Sequence, residues 1–299
     1  MLAILDEVDL GWRSHFTAVL GISRTSYYYP MVTQTIRDNL AIKKLQTTHQ
    51  EHPFYGVRRI ALHLGWSQNK SRRIRTLAGI RVPTASKRHK YRRGAKPEIN
   101  IPSNALHRFA TFKNQARPQD GMDYSAMATA EAWAQDFTYI RTSQSYCYLA
   151  AVLNLKTREI VGWRLGTNHS SELTYAALLD GLSKHHPPVI LHSDQGSEYL
   201  SHKHQLLCQR MEIQLSASNK ASPWQNGFME RFIQTHKLEL GNVRNITELG
   251  QLNESIALTI HYYNTRRIHT ALKMSPTAYA ASLKTNSIER DKLFVKMVA

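Results

Sequence analysis

Apolar positions recur at helical spacing before residue 129, and alternate or run in short blocks after it. Three β-prone runs, Trp133–Ile140, Tyr146–Leu155 and Glu159–Leu165, are joined by short polar turns, which predicts a meander. A helix is expected from Ser170 or Ser171, with Tyr175, Leu178, Leu179 and Leu182 on its buried face and Pro187-Pro188 as its stop. A strand over Val189–Leu191, a helix near Tyr199–Met211 and a strand over Ile213–Ala217 follow. The next helix has a marked start, with Ser222 as N-cap, Pro223 in the first turn and Gln225 at the capping-box position. Met229, Phe232, Ile233, His236 and Leu240 form its apolar stripe, and Asn226, Glu230, Gln234 and Lys237 its polar one. A last helix spans 247–264, capped by Thr247 and lined by Leu249, Leu252, Ile256, Ile260 and Tyr263. This order predicts a mixed α/β sheet over residues 129–283 and a tail over 284–299.

The first part of the chain reads differently. Residues 1–33 hold a helical segment, with Gly21 ending one helix and Ser23 capping another. Its Tyr27, Tyr28 and Tyr29 are expected to pack between helices. Residues 34–95 predict a small all-α domain. Leu40, Ile42, Leu45 and His49 mark its first helix, and His52–Tyr55 turns into a second that runs through Leu62 and Leu64. Gly65 breaks that helix, and Ser67 or Asn69 caps the basic stretch Ser71–Ala78. Helix, glycine-containing turn, basic helix is a helix-turn-helix layout. Residues 96–128 have little periodicity and read as linker.

Charge sharpens this division. Of a formal net charge of +17, much sits in residues 56–96, which carry 13 Lys or Arg and no acid, whereas residues 129–240 carry ten of each sign. A stretch of one sign points to a polyanion partner. Arg58, Arg59, Lys70, Arg72, Arg73, Arg75, Arg92 and Arg93 are the candidates for DNA contact, chiefly with phosphates. A membrane partner is not indicated, since no 18-residue apolar run exists. Two distant cysteines, Cys147 and Cys208, and the absence of a secretory leader pattern place the chain in a reducing cytoplasm. Fifteen histidines without a metal-binding spacing argue against a zinc enzyme.

Three carboxylates carry the candidate chemistry. Asp136 lies in the first β-prone run, Asp194 ends a strand before a Gln195-Gly196 turn, and Glu230 lies in the Ser222 helix. Between them stand 57 and 35 residues, and Lys237 follows Glu230 by seven, two turns along one face. Oxygen ligands suit hard cations, and two such ions about 4 Å apart clamp the attacking and leaving oxygens of a phosphodiester. Glu198 and His192 are secondary candidates, as groups supporting Asp194.

The spacing resembles that of DDE transposases and retroviral integrases. Trp133–Tyr139, Val161-Gly162-Trp163, His192–Tyr199 and Tyr263–His269 in that order resemble bacterial insertion-sequence transposases whose integrase-like core is encoded in a second reading frame. Asn154 departs from the family, which often has Asp there. The resemblance implies a ribonuclease H-like core behind a helix-turn-helix-like domain. It implies Asp136, Asp194 and Glu230 as catalytic residues and ligands of two Mg²⁺ or Mn²⁺ ions, with Lys237 on DNA. The activity implied is cleavage and strand transfer of the element's DNA, by a homo-oligomer on double-stranded DNA in the bacterial nucleoid. An upstream first-frame protein with a helix-turn-helix and leucine zipper, fused or separate, is the implied further partner. Arg266 and Arg267 fit DNA contact and helix capping equally well. Two other readings stand beside the enzyme: a catalytically inactive DNA-binding protein or repressor derived from a transposase, and a ribonuclease H-type nuclease.

Overall fold

The alternating run near residue 133 becomes the central strand of a five-stranded sheet. The computed structural model describes residues 15, 18–19, 21, 32–83, 101–108, 111–112, 122–123, 127, 132–143, 145–219 and 222–285. The tyrosines at 27–29, the basic stretch 87–97 with Arg92 and Arg93, and the tail beyond 285 lie outside those residues. The chain divides into two units, Met1–Val82 and Pro83–Ala299.

In the first unit, α1 (Val32–Glu51), α2 (Val57–Leu64) and α3 (Gln68–Leu77) enclose Leu45, Tyr55, Ile60, Ala61 and Ile74. The inward stripe of α1 is Ala41, Leu45 and Thr48, and Leu40 is turned to solvent. Gly65 ends α2 in the left-handed region (φ 65°), its N–H returning to the Ala61 carbonyl. Ser67 caps α3 by accepting from the Lys70 N–H at 3.2 Å. Both parts of the turn therefore follow from the sequence.

In the second unit the strands are β1 (Ala132–Arg141), β2 (Tyr146–Asn154), β3 (Ile160–Gly166), β4 (Ile190–Ser193) and β5 (Gln214–Ala217). Their order in the sheet is β3-β2-β1-β4-β5, with β1–β3 antiparallel and β4 and β5 added in parallel. This is the ribonuclease H-like mixed sheet. Helices α4 (Ser171–Leu182), α5 (His202–Arg210), α6 (Gly227–Leu240) and α7 (Leu249–Thr265) cover it. One core joins Ala132, Ala134, Ile140 and Ile190 to Met229 and Phe232 of α6 and Ile256 and Ile260 of α7. The other joins Trp133, Val161 and Leu191 to Leu173, Ala177 and Leu178 of α4 and Cys208 of α5. Alternation along each strand thus separates the two layers.

Three local expectations are corrected. The buried face of α4 is Leu173, Ala177, Leu178 and Gly181; of the expected residues Leu178 is buried, Leu182 packs half-buried on the core and Tyr175 is half-buried, whereas Leu179 is exposed. The cause is Gly162 on β3, which lets the backbone of Ala177 and Gly181 approach so closely that only small residues fit. The Ser222 start is a 3₁₀ turn (Pro223–Asn226) before α6, without a side-chain cap from Ser222. Gln225 faces the other way, its Oε1 accepting from the Asn219 N–H at 2.6 Å. Finally, α7 begins at Leu249 after Glu248, and Leu249 itself is exposed.

Candidate functional site

The parallel pairing of β1 with β4 sets Ala132 opposite Ile190, Trp133 opposite Leu191 and Ala134 opposite His192. Continuing that register by two residues brings Asp136 level with Asp194, just past the end of β4. Ala134 and Ile190 face the α6 layer, so by alternation Asp136 and Asp194 belong to that same side of the sheet. Both are half-buried. The Asp136 carboxylate accepts from the Phe137 N–H at 2.8 Å, and the Asp194 carboxylate from the Gly196 N–H at 2.9 Å. Each side chain is thereby steadied by the backbone beside it.

Helix α6 brings the third carboxylate along the same strand. At its start the Asn226 Nδ2 donates to the Gln135 carbonyl at 3.4 Å, and near its end the Lys237 Nζ lies 4.4 Å from the centre of the Tyr139 ring. Asn226 is buried, not on the exposed polar stripe. Phe228, also in the first turn, carries the Arg158 guanidinium over its ring at 3.5 Å. Glu230 lies between these anchors and is exposed. Among the described residues no group of three His, Cys, Asp or Glu side chains is arranged to hold a metal ion. The register sets the two aspartates level on adjacent strands, and Glu230 is not gathered with them into a closed set.

Gly196 bears on which group fits there. A Cβ at this position would stand 2.3 Å from the Glu198 Oε1 and 2.9 Å from the Asp194 Oδ1. The turn thus keeps two carboxylates close around a residue that has no side chain. The donors are all oxygen, the set preferred by a hard divalent cation over a soft one. Asp136 and Asp194 supply oxygen donors of the kind such an ion takes, and Glu230 stands exposed on α6.

Glu198 is buried and pairs with His169, Oε1 to Nε2 at 3.4 Å. The His169 ring in turn packs on Phe137, the neighbour of Asp136, with centroids 3.9 Å apart. His169 was not among the sequence candidates, because a lone histidine in a polar loop has no periodic signal. His192 is fully buried, its ring nitrogens each 2.9 Å from a serine hydroxyl, Ser216 and Ser218. It supports the strand that carries Asp194. Gln135 is held from below by His204 at 3.2 Å, and burial pulls the His204 pKa down to about 4, so the ring is neutral at pH 7.

Asn154 is a turn residue: its Oδ1 accepts from the N–H groups of Lys156 (2.8 Å) and Thr157 (3.0 Å). An aspartate there would make the same two bonds. The closing motif is structural in part. Asn264 exchanges two 2.9 Å hydrogen bonds with the backbone of Ile160 on the sheet edge. Arg267 is buried, bonded through Nε to Glu239 of α6 at 2.6 Å. It ties the end of α7 to α6 and is turned away from solvent, whereas Arg266 is exposed at the helix end.

In the helical unit, Arg58, Lys70 and Arg72 are exposed and Arg75 is half-buried. Arg73 spends its fork on Asp38, at 2.5 and 2.7 Å, and so ties α3 to α1. Arg59 reaches the Phe54 carbonyl at 3.4 Å. No described helix is long and apolar enough to cross a membrane.

Two family models, both described as integrase core domain, match residues 128–223 and 211–276. The chain is 30% identical over 249 residues to the transposase for insertion sequence element IS904 of Lactococcus lactis subsp. lactis (strain IL1403), covering 81% of this chain and 93% of that one. It is 26% identical over 268 residues to the putative transposase InsK for insertion sequence element IS150 of Escherichia coli (strain K12), covering 86% and 89%. Among solved structures it is similar to the HTLV-2 integrase catalytic core domain in complex with magnesium, with 17% identity and a TM-score of 0.44 over 51% of this chain and 97% of that one.

Proposed function

This chain belongs to the insertion-sequence transposases with an integrase core, DDE-type polynucleotidyl transferases, and from that premise we propose that it cuts and joins DNA in a reaction that depends on a divalent metal. Asp136, Asp194 and Glu230 would hold Mg²⁺ or Mn²⁺, two ions in the full site. Bound there, the metal supplies Lewis acidity that activates a water or a DNA 3′-hydroxyl and stabilises the departing oxygen. The observation that carries this reading is the shared level of Asp136 and Asp194 on one side of the sheet, beneath the helix that bears Glu230.

The chain's own groups do the positioning. The backbone N–H groups of Phe137 and Gly196 orient the two aspartates. Asn226, Arg158 and the Arg267–Glu239 pair fix the course of α6 and with it the reach of Glu230. Lys237, whose ammonium is buried over the Tyr139 ring, would reach phosphate charge beside the scissile bond only by leaving that ring. Arg58, Lys70, Arg72 and Arg75 of the helix-turn-helix-like unit, with Arg92 and Arg93, hold the duplex by its phosphates, giving a steep salt dependence. Residues 34–95 thus serve as a DNA-binding domain and 129–283 as the catalytic one. The protein acts as an oligomer on DNA, with an upstream helix-turn-helix and leucine-zipper protein as a further partner.

Strand transfer of a labelled element-end duplex, measured with Mg²⁺ or Mn²⁺, tests the reading. Asp194→Asn and Asp136→Asn keep the shape of the site and should each lose at least about a hundredfold of activity, about 2.7 kcal/mol of barrier. Undiminished transfer by Asp194→Asn would reject the assignment. DNA binding retained alongside complete loss of transfer separates a catalytic site from a mere binder.

A further inference from the structure

The turn after β4 carries a carboxylate on each side of the sheet. Asp194 belongs to the α6 side. Glu198, four residues on, meets the α4 side: the Thr174 hydroxyl donates to its carbonyl at 3.4 Å, and the His169 Nε2 lies 3.4 Å from its Oε1. The Glu198 side chain is 4% exposed. A carboxylate so buried needs polar partners. Among the described residues it has two, His169 and the Ser197 hydroxyl, which donates to Oε2 at 3.4 Å. The His169 ring is itself held. It lies on Phe137, with centroids 3.9 Å apart and planes at 35°, and 5.7 Å from the Tyr148 centroid. Phe137 and Tyr148 pack on the α4 core from the adjacent strands β1 and β2. One imidazole thus touches the strand of one aspartate and the turn of the other.

We infer that His169 is a positioning residue for the carboxylate site, acting through Glu198 on Asp194. The inference rests on the proposed function and deepens it. Gly196 is the link. Its N–H donates to the Asp194 Oδ1 at 2.9 Å, and a Cβ there would stand 2.3 Å from the Glu198 Oε1 and 2.9 Å from the Asp194 Oδ1. The backbone at 196 is therefore pressed between the two carboxylates. When Glu198 shifts, the N–H that aims Asp194 is free to shift with it. His169 sets where Glu198 stops: stacking on Phe137 fixes the ring, and the ring nitrogen fixes the carboxylate. No bond or proton changes hands at His169, so the role is geometric. Groups standing behind metal ligands are worth about 10–100-fold in metal affinity or activity. A staple that served only the fold would leave the affinity of the folded protein for an ion unchanged, and a DNA contact would move DNA affinity instead.

Uptake of Mn²⁺ by the full chain, followed by loss of the free-ion electron paramagnetic resonance signal, reads the site without turnover. His169→Phe keeps an aromatic ring on Phe137 and removes the nitrogen. It should weaken Mn²⁺ binding about tenfold and lower kcat for strand transfer by a similar factor, with element-end DNA affinity in EDTA unmoved. Glu198→Ala should match it. Glu198→Gln keeps the shape of the contact and should stay within about threefold of wild type. Circular dichroism checks that each variant is folded at the assay temperature, and the two positions report independently should one variant fail to fold. Mn²⁺ affinity of His169→Phe equal to that of wild type would overturn the positioning role, and so would a loss confined to DNA affinity. Glu198→Gln failing as completely as Asp194→Asn would make Glu198 a ligand and count equally against it. Wild type that takes up no Mn²⁺ would refute the metal reading of the site and this inference with it, whereas a site filled alike in wild type and His169→Phe refutes this inference alone.

Discussion

Gly162→Ala is the sharpest test of how this sheet carries its helices. A Cβ added at 162 would stand 2.3 Å from the Ala177 carbonyl oxygen, 2.5 Å from the Gly181 nitrogen and 2.9 Å from the Gly181 Cα. Ordinary contacts for such an atom begin near 3.4 Å. All three opposing atoms are backbone, so no rotamer change relieves the clash. Helix α4 must retreat by about 1 Å, a shift comparable to adding a methylene to a tight core. Retreat loosens Leu173, Ala177 and Leu178 from Trp133 and Val161. It also stretches the bond from the Trp163 N–H to the Asp180 carboxylate, now 3.2 Å, on which Arg164 and Lys184 also converge. The cost is about 2–3 kcal/mol, the upper part of the range for overpacking. For a unit spanning Pro83–Ala299 that lowers the melting temperature by about 5–10 °C. Thermal unfolding followed by circular dichroism, with urea titration for the free energy, measures it. Gly227→Ala is the matched control: its φ is −61° and nothing lies within 4 Å of the added methyl. It should stabilise α6 by about 0.5–1 kcal/mol. A Gly162→Ala protein that melts within about 2 °C of wild type would refute the close-approach argument.

Two further outcomes follow from buried charge and buried imidazole. Arg267→Met strands the Glu239 carboxylate in a place where both side chains are 5% exposed, and should cost about 3–5 kcal/mol in urea unfolding. Arg267→Met with Glu239→Leu should recover most of that loss, and a double variant no better than the single one counts against a pair whose charges matter only to each other. Burial, with a lesser push from Lys237, pulls the His236 pKa down to about 4, and burial alone does the same to His204. The unfolded chain takes up these protons near pH 6.5 while the folded chain refuses them until about pH 4, so stability is complete above about pH 6.5 and falls as pH drops toward 4, by at most about 3 kcal/mol for each group. His236→Phe should remove its share of that slope, and an unchanged slope would remove His236 from the account.

What could be read from the chain alone, and what could not, divides along physical lines. Strands and their order of appearance were legible because alternation has a period of two residues and the turns are polar; β1, β2 and β3 each fall within two residues of the expected ends. Ser67 and Gly65 were legible because capping chemistry is local. The inward face of α4 was legible only in part, at Leu178 and Leu182 and not at Ala177 and Gly181. Side-chain size there is decided by Gly162 on another strand, and a preference for large apolar residues misses a contact made by backbone. Nor was the fate of Gln225 and Arg267 legible, since the partners that take them, Asn219 and Glu239, are fixed only when the loop and α6 dock.

The candidate site shows the same division. That Asp136 and Asp194 share a level is a consequence of register, and register cannot be read from spacing, because 57 intervening residues permit many pairings. The spacing from Glu230 to Lys237 is different: it is helical geometry, fixed by 3.6 residues per turn wherever the helix lies. What the fold adds is the line along which that geometry is laid. Asn226 meets Gln135 and Lys237 meets Tyr139, so α6 follows the very strand that carries Asp136. A helix tied at both ends to one strand cannot slide along it without breaking one of those contacts. The reach of Glu230 toward the aspartates is then governed by its own side-chain rotamer and by the first turn around Phe228. It follows that Arg158, stacked on Phe228, bears on where the first turn of α6 sits.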